Sequence, residues 1–106
     1  MNKIRDEYGN VAVIVNKGYG IGWSTYGAED EEALMYDGAI VNMVLAANEG
    51  FEQEIINYCS EKYPEFYCIP YHLGIVWVKP GWPFFIQEYD GHESVCYIDD
   101  INTFVV

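Results

Sequence analysis

The apolar positions change period along the chain, and the change predicts its elements. Val11-Ala12-Val13-Ile14-Val15 is an unbroken, largely β-branched run of the kind that forms a buried strand. It passes through Asn16-Lys17 into Gly18-Tyr19-Gly20-Ile21-Gly22-Trp23-Ser24-Thr25, where glycines at alternate positions predict a bent loop or a bulged strand and not a helix. Glu29-Asp30-Glu31-Glu32 then precede Ala33-Leu34-Met35, a short helix with carboxylates in its first turn. Asp37-Gly38 interrupts, and Asp37 is placed to cap a second helix whose apolar residues Ile40, Val41, Val44 and Leu45 keep helical spacing. Phe51 to Tyr63 is the clearest helix, with Phe51, Ile55, Ile56 and Cys59 on its inner stripe and Pro64 ending it.

Beyond Pro64 the period shortens to that of strands. Leu73–Val78, Phe84–Tyr89, Ser94–Ile98 and Thr103–Val106 are strand-like, separated by Lys79-Pro80-Gly81-Trp82-Pro83 and by the turn Tyr89-Asp90-Gly91-His92. The expected architecture is one α+β domain over residues 1–106. It comprises an N-terminal strand and Gly-rich loop, two or three helices, then a C-terminal antiparallel sheet of three or four strands.

Composition narrows the function classes. A chain of 106 residues allows one domain, and 51% apolar residues are too many for a disordered acidic tail. No apolar run approaches the roughly 18 residues of a membrane span, and the N-terminus lacks a signal-peptide pattern, so a cytoplasmic protein is expected. Cys59, Cys68 and Cys96 lack the spacing of a disulfide framework or, with His72 and His92, of a zinc site, so reduced thiols and no metal or other cofactor are expected.

Charge changes the picture further. There are 17 acidic residues against 5 basic ones, a formal charge of −12, which argues against direct contact with nucleic acid or anionic lipid. The bias is local. Residues 29–65 hold Glu29, Asp30, Glu31, Glu32, Asp37, Glu49, Glu52, Glu54, Glu61 and Glu65 against Lys62 alone. Helical carboxylates three or four residues apart stand about 5–6 Å from one another, a spacing similar to that of phosphates along a strand. Such an array suits the lysine- and arginine-lined groove of a nucleic-acid-binding protein, and the counterion release that draws nucleic acid into the groove then favours the array. Tyr19 and Trp82, in loops, are candidate aromatic anchors for the same partner. The plainer alternative is a solvated acidic face that keeps the protein soluble.

Two other chemistries have candidate residues. Lys17, Gly18, Gly20, Gly22 and Ser24 follow a strand as a phosphate cradle does, but their spacing matches neither a dinucleotide fingerprint nor a P-loop. Glu88, Asp90, His92 and Glu93 gather acid–base groups and possible divalent-metal ligands, although Asp-Gly also serves a tight turn.

The segments Val15-Asn16-Lys17-Gly18-Tyr19-Gly20, Gly22-Trp23-Ser24-Thr25 and Phe85-Ile86-Gln87-Glu88-Tyr89-Asp90-Gly91-His92-Glu93-Ser94-Val95 resemble a group of small phage- and prophage-encoded proteins of unassigned function. The resemblance covers both ends of the chain and transfers no site residue. It implies a phage accessory protein acting in the bacterial host cell, a setting in which anti-CRISPR and other anti-defence proteins are found. The expected function is therefore non-enzymatic: a stoichiometric inhibitor that presents a nucleic-acid-mimicking acidic surface to the basic groove of a host nuclease. A nucleotide-signal-binding sponge using the Gly-rich loop is the alternative, and a small metal-assisted hydrolase a third.

Overall fold

The computed structural model describes residues 3–20, 22–25 and 30–98. Its elements follow the order β1 (Val11–Asn16), α1 (Glu31–Met35), α2 (Gly38–Ala46), α3 (Phe51–Lys62), β2 (Leu73–Val78), β3 (Phe84–Tyr89) and β4 (His92–Tyr97). No described helix is long and apolar enough to cross a membrane.

β1 explains why its first five residues are all apolar instead of apolar at alternate positions. All six residues are buried, because both faces of the strand are covered. Ala12 and Ile14 pack with the loop residue Trp23 and with Leu34, Ile40, Val41, Ile55 and Cys59 of the helical layer. Val11, Val13 and Val15 face the other way, onto Met35, Val78 and Ile86, with Val95 and Tyr97 of the β3–β4 hairpin alongside. The result is three layers: helices, the β1–β2 ribbon and the hairpin. A two-stranded ribbon is marginal alone in water, so covering both faces is what makes this one tenable.

The α+β class is as expected, but the strands are shared out differently. β2 does not join the C-terminal sheet. It pairs antiparallel with β1, from Val11 opposite Val78 to Asn16 opposite Leu73, and β3 and β4 form a separate two-stranded sheet. Pro80 and Pro83 in the connection lack ladder donors and Gly81 takes φ 78°, so the chain turns out of the first ribbon before β3 begins. The expected strand Thr103–Val106 lies outside the described residues.

The helices begin where the sequence places them. The Asp37 carboxylate accepts from the Ala39 and Ile40 amides and caps α2. Of the expected stripe on α3, Ile55 and Cys59 are buried and Phe51 and Ile56 half-buried. Trp23, in the Gly-rich loop, is fully buried. Its indole N–H donates to Thr25 Oγ1 at 2.7 Å, and its ring meets Phe66 edge-on at 4.7 Å.

Candidate functional site

The acidic stretch folds into α1, α2, α3 and their connections. Asp30, Glu32, Glu49, Glu54, Glu61 and Glu65 are exposed, and Glu31 and Glu52 half-exposed. Glu29 lies outside the described residues. Asp37 departs from the expected acidic surface: it is buried, only 3% exposed. Its carboxylate accepts from the Tyr63 hydroxyl at 2.7 Å, the Tyr58 hydroxyl at 2.8 Å and Lys62 Nζ at 3.1 Å, besides capping α2. Burial pushes this carboxyl up, but the hydrogen bonds from Tyr63, Tyr58, Ile40 and Lys62 outweigh it and hold the group below its ordinary value. The Tyr63 hydroxyl is pushed up by burial and by the carboxylate it serves. Lys62 is pushed up by its bonds to Tyr58 and Asp37.

This cluster has a consequence for the surface. Lys62 is the sole base of residues 29–65, and its partner is the buried Asp37. Among the described residues, none of the eight carboxylates Asp30, Glu31, Glu32, Glu49, Glu52, Glu54, Glu61 and Glu65 forms an ion pair. Their charge is uncompensated by any described residue.

The Gly-rich loop is docked onto its surroundings. Lys17 N donates to the His72 carbonyl at 2.8 Å, Gly20 N to the Asp90 carbonyl at 2.5 Å and Trp23 N to the Ile69 carbonyl at 3.2 Å. Gly18 N reaches Asn16 Oδ1 at 3.5 Å. Backbone donors of a phosphate cradle point at the ligand, whereas these point into the protein. The glycines are explained by close approach: a Cβ on Gly18 would overlap the His72 ring, and one on Gly91 would strike the Gly20 carbonyl. Of the remaining loop candidates, Lys17 is exposed with its stem against Gly74, Gly22 lies beside the Asn16 amide, and Ser24 is exposed.

The hairpin turn is the other half of this joint. Asp90 and Gly91 take φ 48° and 86°, the left-handed pair of a two-residue hairpin. Asn16 Nδ2 donates to the Gly91 carbonyl at 2.7 Å, and Asn16 N to Glu93 Oε1 at 2.9 Å, which places a carboxylate only 2% exposed against β1. Glu88 accepts from Gly91 N at 2.5 Å, and Tyr19 stacks on His92 with centroids 4.9 Å apart. The acid–base candidates are thus brought together, but as the latch between loop and hairpin. Among the described residues no three His, Cys, Asp or Glu side chains converge as a metal-binding group.

The two aromatic candidates are exposed, Tyr19 by 67% and Trp82 by 45%. Trp82 rests edge-on against Tyr97 at 5.6 Å, beneath the Lys79 ammonium at 4.3 Å. Cys59, Cys68 and Cys96 are free thiols, and the hydrogen bond that the Cys59 thiol donates to Cys68, together with burial, pushes Cys59 up.

Sequence reasoning missed a cleft of about 500 Å³ where the end of α3 meets α1. Asp30, Lys62, Tyr63, Glu65, Phe66 and Tyr67 line it. The available signal was the aromatic cluster that directly follows an acidic helix, Tyr63-Pro64-Glu65-Phe66-Tyr67. No family model, curated protein or solved structure matches the chain.

Proposed function

We propose that this protein is a stoichiometric inhibitor that occupies the basic, nucleic-acid-binding groove of a host defence enzyme, an anti-CRISPR-like role. The observation that carries the reading is the commitment of Lys62 to Asp37, which leaves eight surface carboxylates between Asp30 and Glu65 without a cationic partner among the described residues. Like charges at this density repel and weaken the folded state, so a complementary lysine- and arginine-rich surface gains what the monomer loses. Glu54 and Glu61, two turns apart on α3, share one exposed side of that helix. The phage resemblance of the loop and hairpin segments supplies the expected target class, a CRISPR effector nuclease.

The test is inhibition of such a nuclease, together with the salt dependence of binding. Each groove cation engaged in place of a phosphate contributes close to one unit to the slope of log affinity against log salt, so affinity falls steeply between about 50 and 200 mM. The triple variant Glu32→Lys, Glu54→Lys, Glu61→Lys loses inhibition while its circular-dichroism spectrum stays that of the parent. Inhibition that survives this reversal refutes the reading.

A further inference from the structure

We propose that the cleft at the end of α3 is an anchor pocket for an arginine side chain of the partner protein. The inference rests on the inhibitor reading and names the point at which the basic surface is gripped. At about 500 Å³ the cleft falls within the size range of ligand sites, and its walls combine aromatic rings with carboxylates. Tyr63, Phe66 and Tyr67 supply the rings, and Asp30 and Glu65 the acids. A guanidinium is planar and weakly hydrated, stacks on aromatic faces and bonds a carboxylate through two parallel N–H groups.

Among the described residues neither acid has a side-chain partner. Asp30 stands at the N-cap of α1 yet makes no side-chain cap hydrogen bond, and neither Asp30 nor Glu65 forms an ion pair among the described residues. Lys62 also lines the cleft, but its charge is matched by Asp37 at 3.1 Å. The rim therefore carries two net negative charges. An anionic ligand would meet both carboxylates and find the one cation already paired, so the charge selects a cation. Tyr67, 74% exposed, offers a ring that a partner side chain reaches without rearrangement.

The cleft carries its own reporter. Phe66 in its wall meets Trp23 at 4.7 Å, and the Trp23 indole N–H is held by Thr25, so a group seated on Phe66 perturbs that indole resonance. The experiment is an NMR titration of the full chain with N-acetyl-arginine N-methylamide. The citrulline counterpart, equal in shape and uncharged, is titrated in parallel. Saturable shifts at Ser24, Phe66, Tyr67 and the Trp23 indole are expected with arginine and not with citrulline. Asp30→Asn with Glu65→Gln weakens the arginine affinity about tenfold or more, and Tyr67→Ala weakens it as well. An arginine titration without saturable shifts at the cleft overturns the proposal. So does an equal response to citrulline, which needs no variant, or an affinity indifferent to the double substitution. None of Glu32, Glu54 and Glu61 lines the cleft, so their reversal tests the inhibitor reading separately from this one.

Discussion

Replacing Asp37 by alanine removes one carboxylate from four kinds of partner at once, and the cost can be assembled from them. Loss of the α2 cap contributes about 1 kcal/mol. The Tyr63 hydroxyl turns its single proton to the Ala33 carbonyl 3.3 Å away, and the Tyr58 hydroxyl still accepts from Lys62 at 3.0 Å, so each is weakened without being orphaned, about 1 kcal/mol apiece. Lys62 is 54% exposed, and water replaces most of what its pair provided, leaving less than about 0.5 kcal/mol. The expected loss is about 3 kcal/mol, a large share of the roughly 5–15 kcal/mol available to a small domain. Urea unfolding followed by tryptophan fluorescence reads it as a midpoint lowered by roughly 1–3 M.

The pH dependence carries the sign. The folded carboxyl titrates below its ordinary value of 3.8, so its contribution is complete above the unfolded value and is lost as the pH falls through the folded one. The gap between parent and Asp37→Ala is therefore full at neutral pH and closes from about pH 4 downward. Asp37→Asn retains an oxygen for the cap and recovers roughly 1 kcal/mol of the loss. A neutral-pH loss under about 1 kcal/mol, or a gap unchanged down to about pH 3, refutes this account of the cluster.

Gly91→Ala strains a residue at φ 86° and drives a methyl into the Gly20 carbonyl, so it costs about 2 kcal/mol or more and exposes the Gly20 amide to hydrogen exchange. In native protein a thiol reagent labels at most two of the three cysteines, because the buried Cys59 thiol resists ionisation, and all three react in urea. Trp82→Ala costs less than about 1 kcal/mol of stability by denaturant unfolding, since the ring is 45% exposed, yet weakens binding to the proposed partner.

The elements were legible where one local rule decided them. The Asp37-Gly38 step before an apolar period gives the α2 cap, Pro64 follows the end of α3, and Asp90-Gly91 gives the hairpin. What the sequence left hidden depends on distant partners. Asp37 reads as a surface acid until Tyr58, Lys62 and Tyr63, a helix away, close over it. The loop glycines announce a bend but not that His72 and Gly91 press against it. β2 is strand-like as β3 is, and no local rule says that β1, far earlier in the chain, takes β2 as its partner. The cleft is hidden for the same reason, because Asp30 and the Tyr63–Tyr67 segment meet only in three dimensions.

The pairing of Val11–Asn16 with Leu73–Val78 also sets a timetable for the newborn polypeptide. A ribosome adding roughly 5–20 residues per second needs several seconds to travel from one strand to the other. Throughout that interval a six-residue, largely β-branched stretch stands without its mate, a ready nucleus for clumping with neighbouring chains. The negative helices translated in between, through mutual repulsion of nascent copies, act as the safeguard for that vulnerable wait.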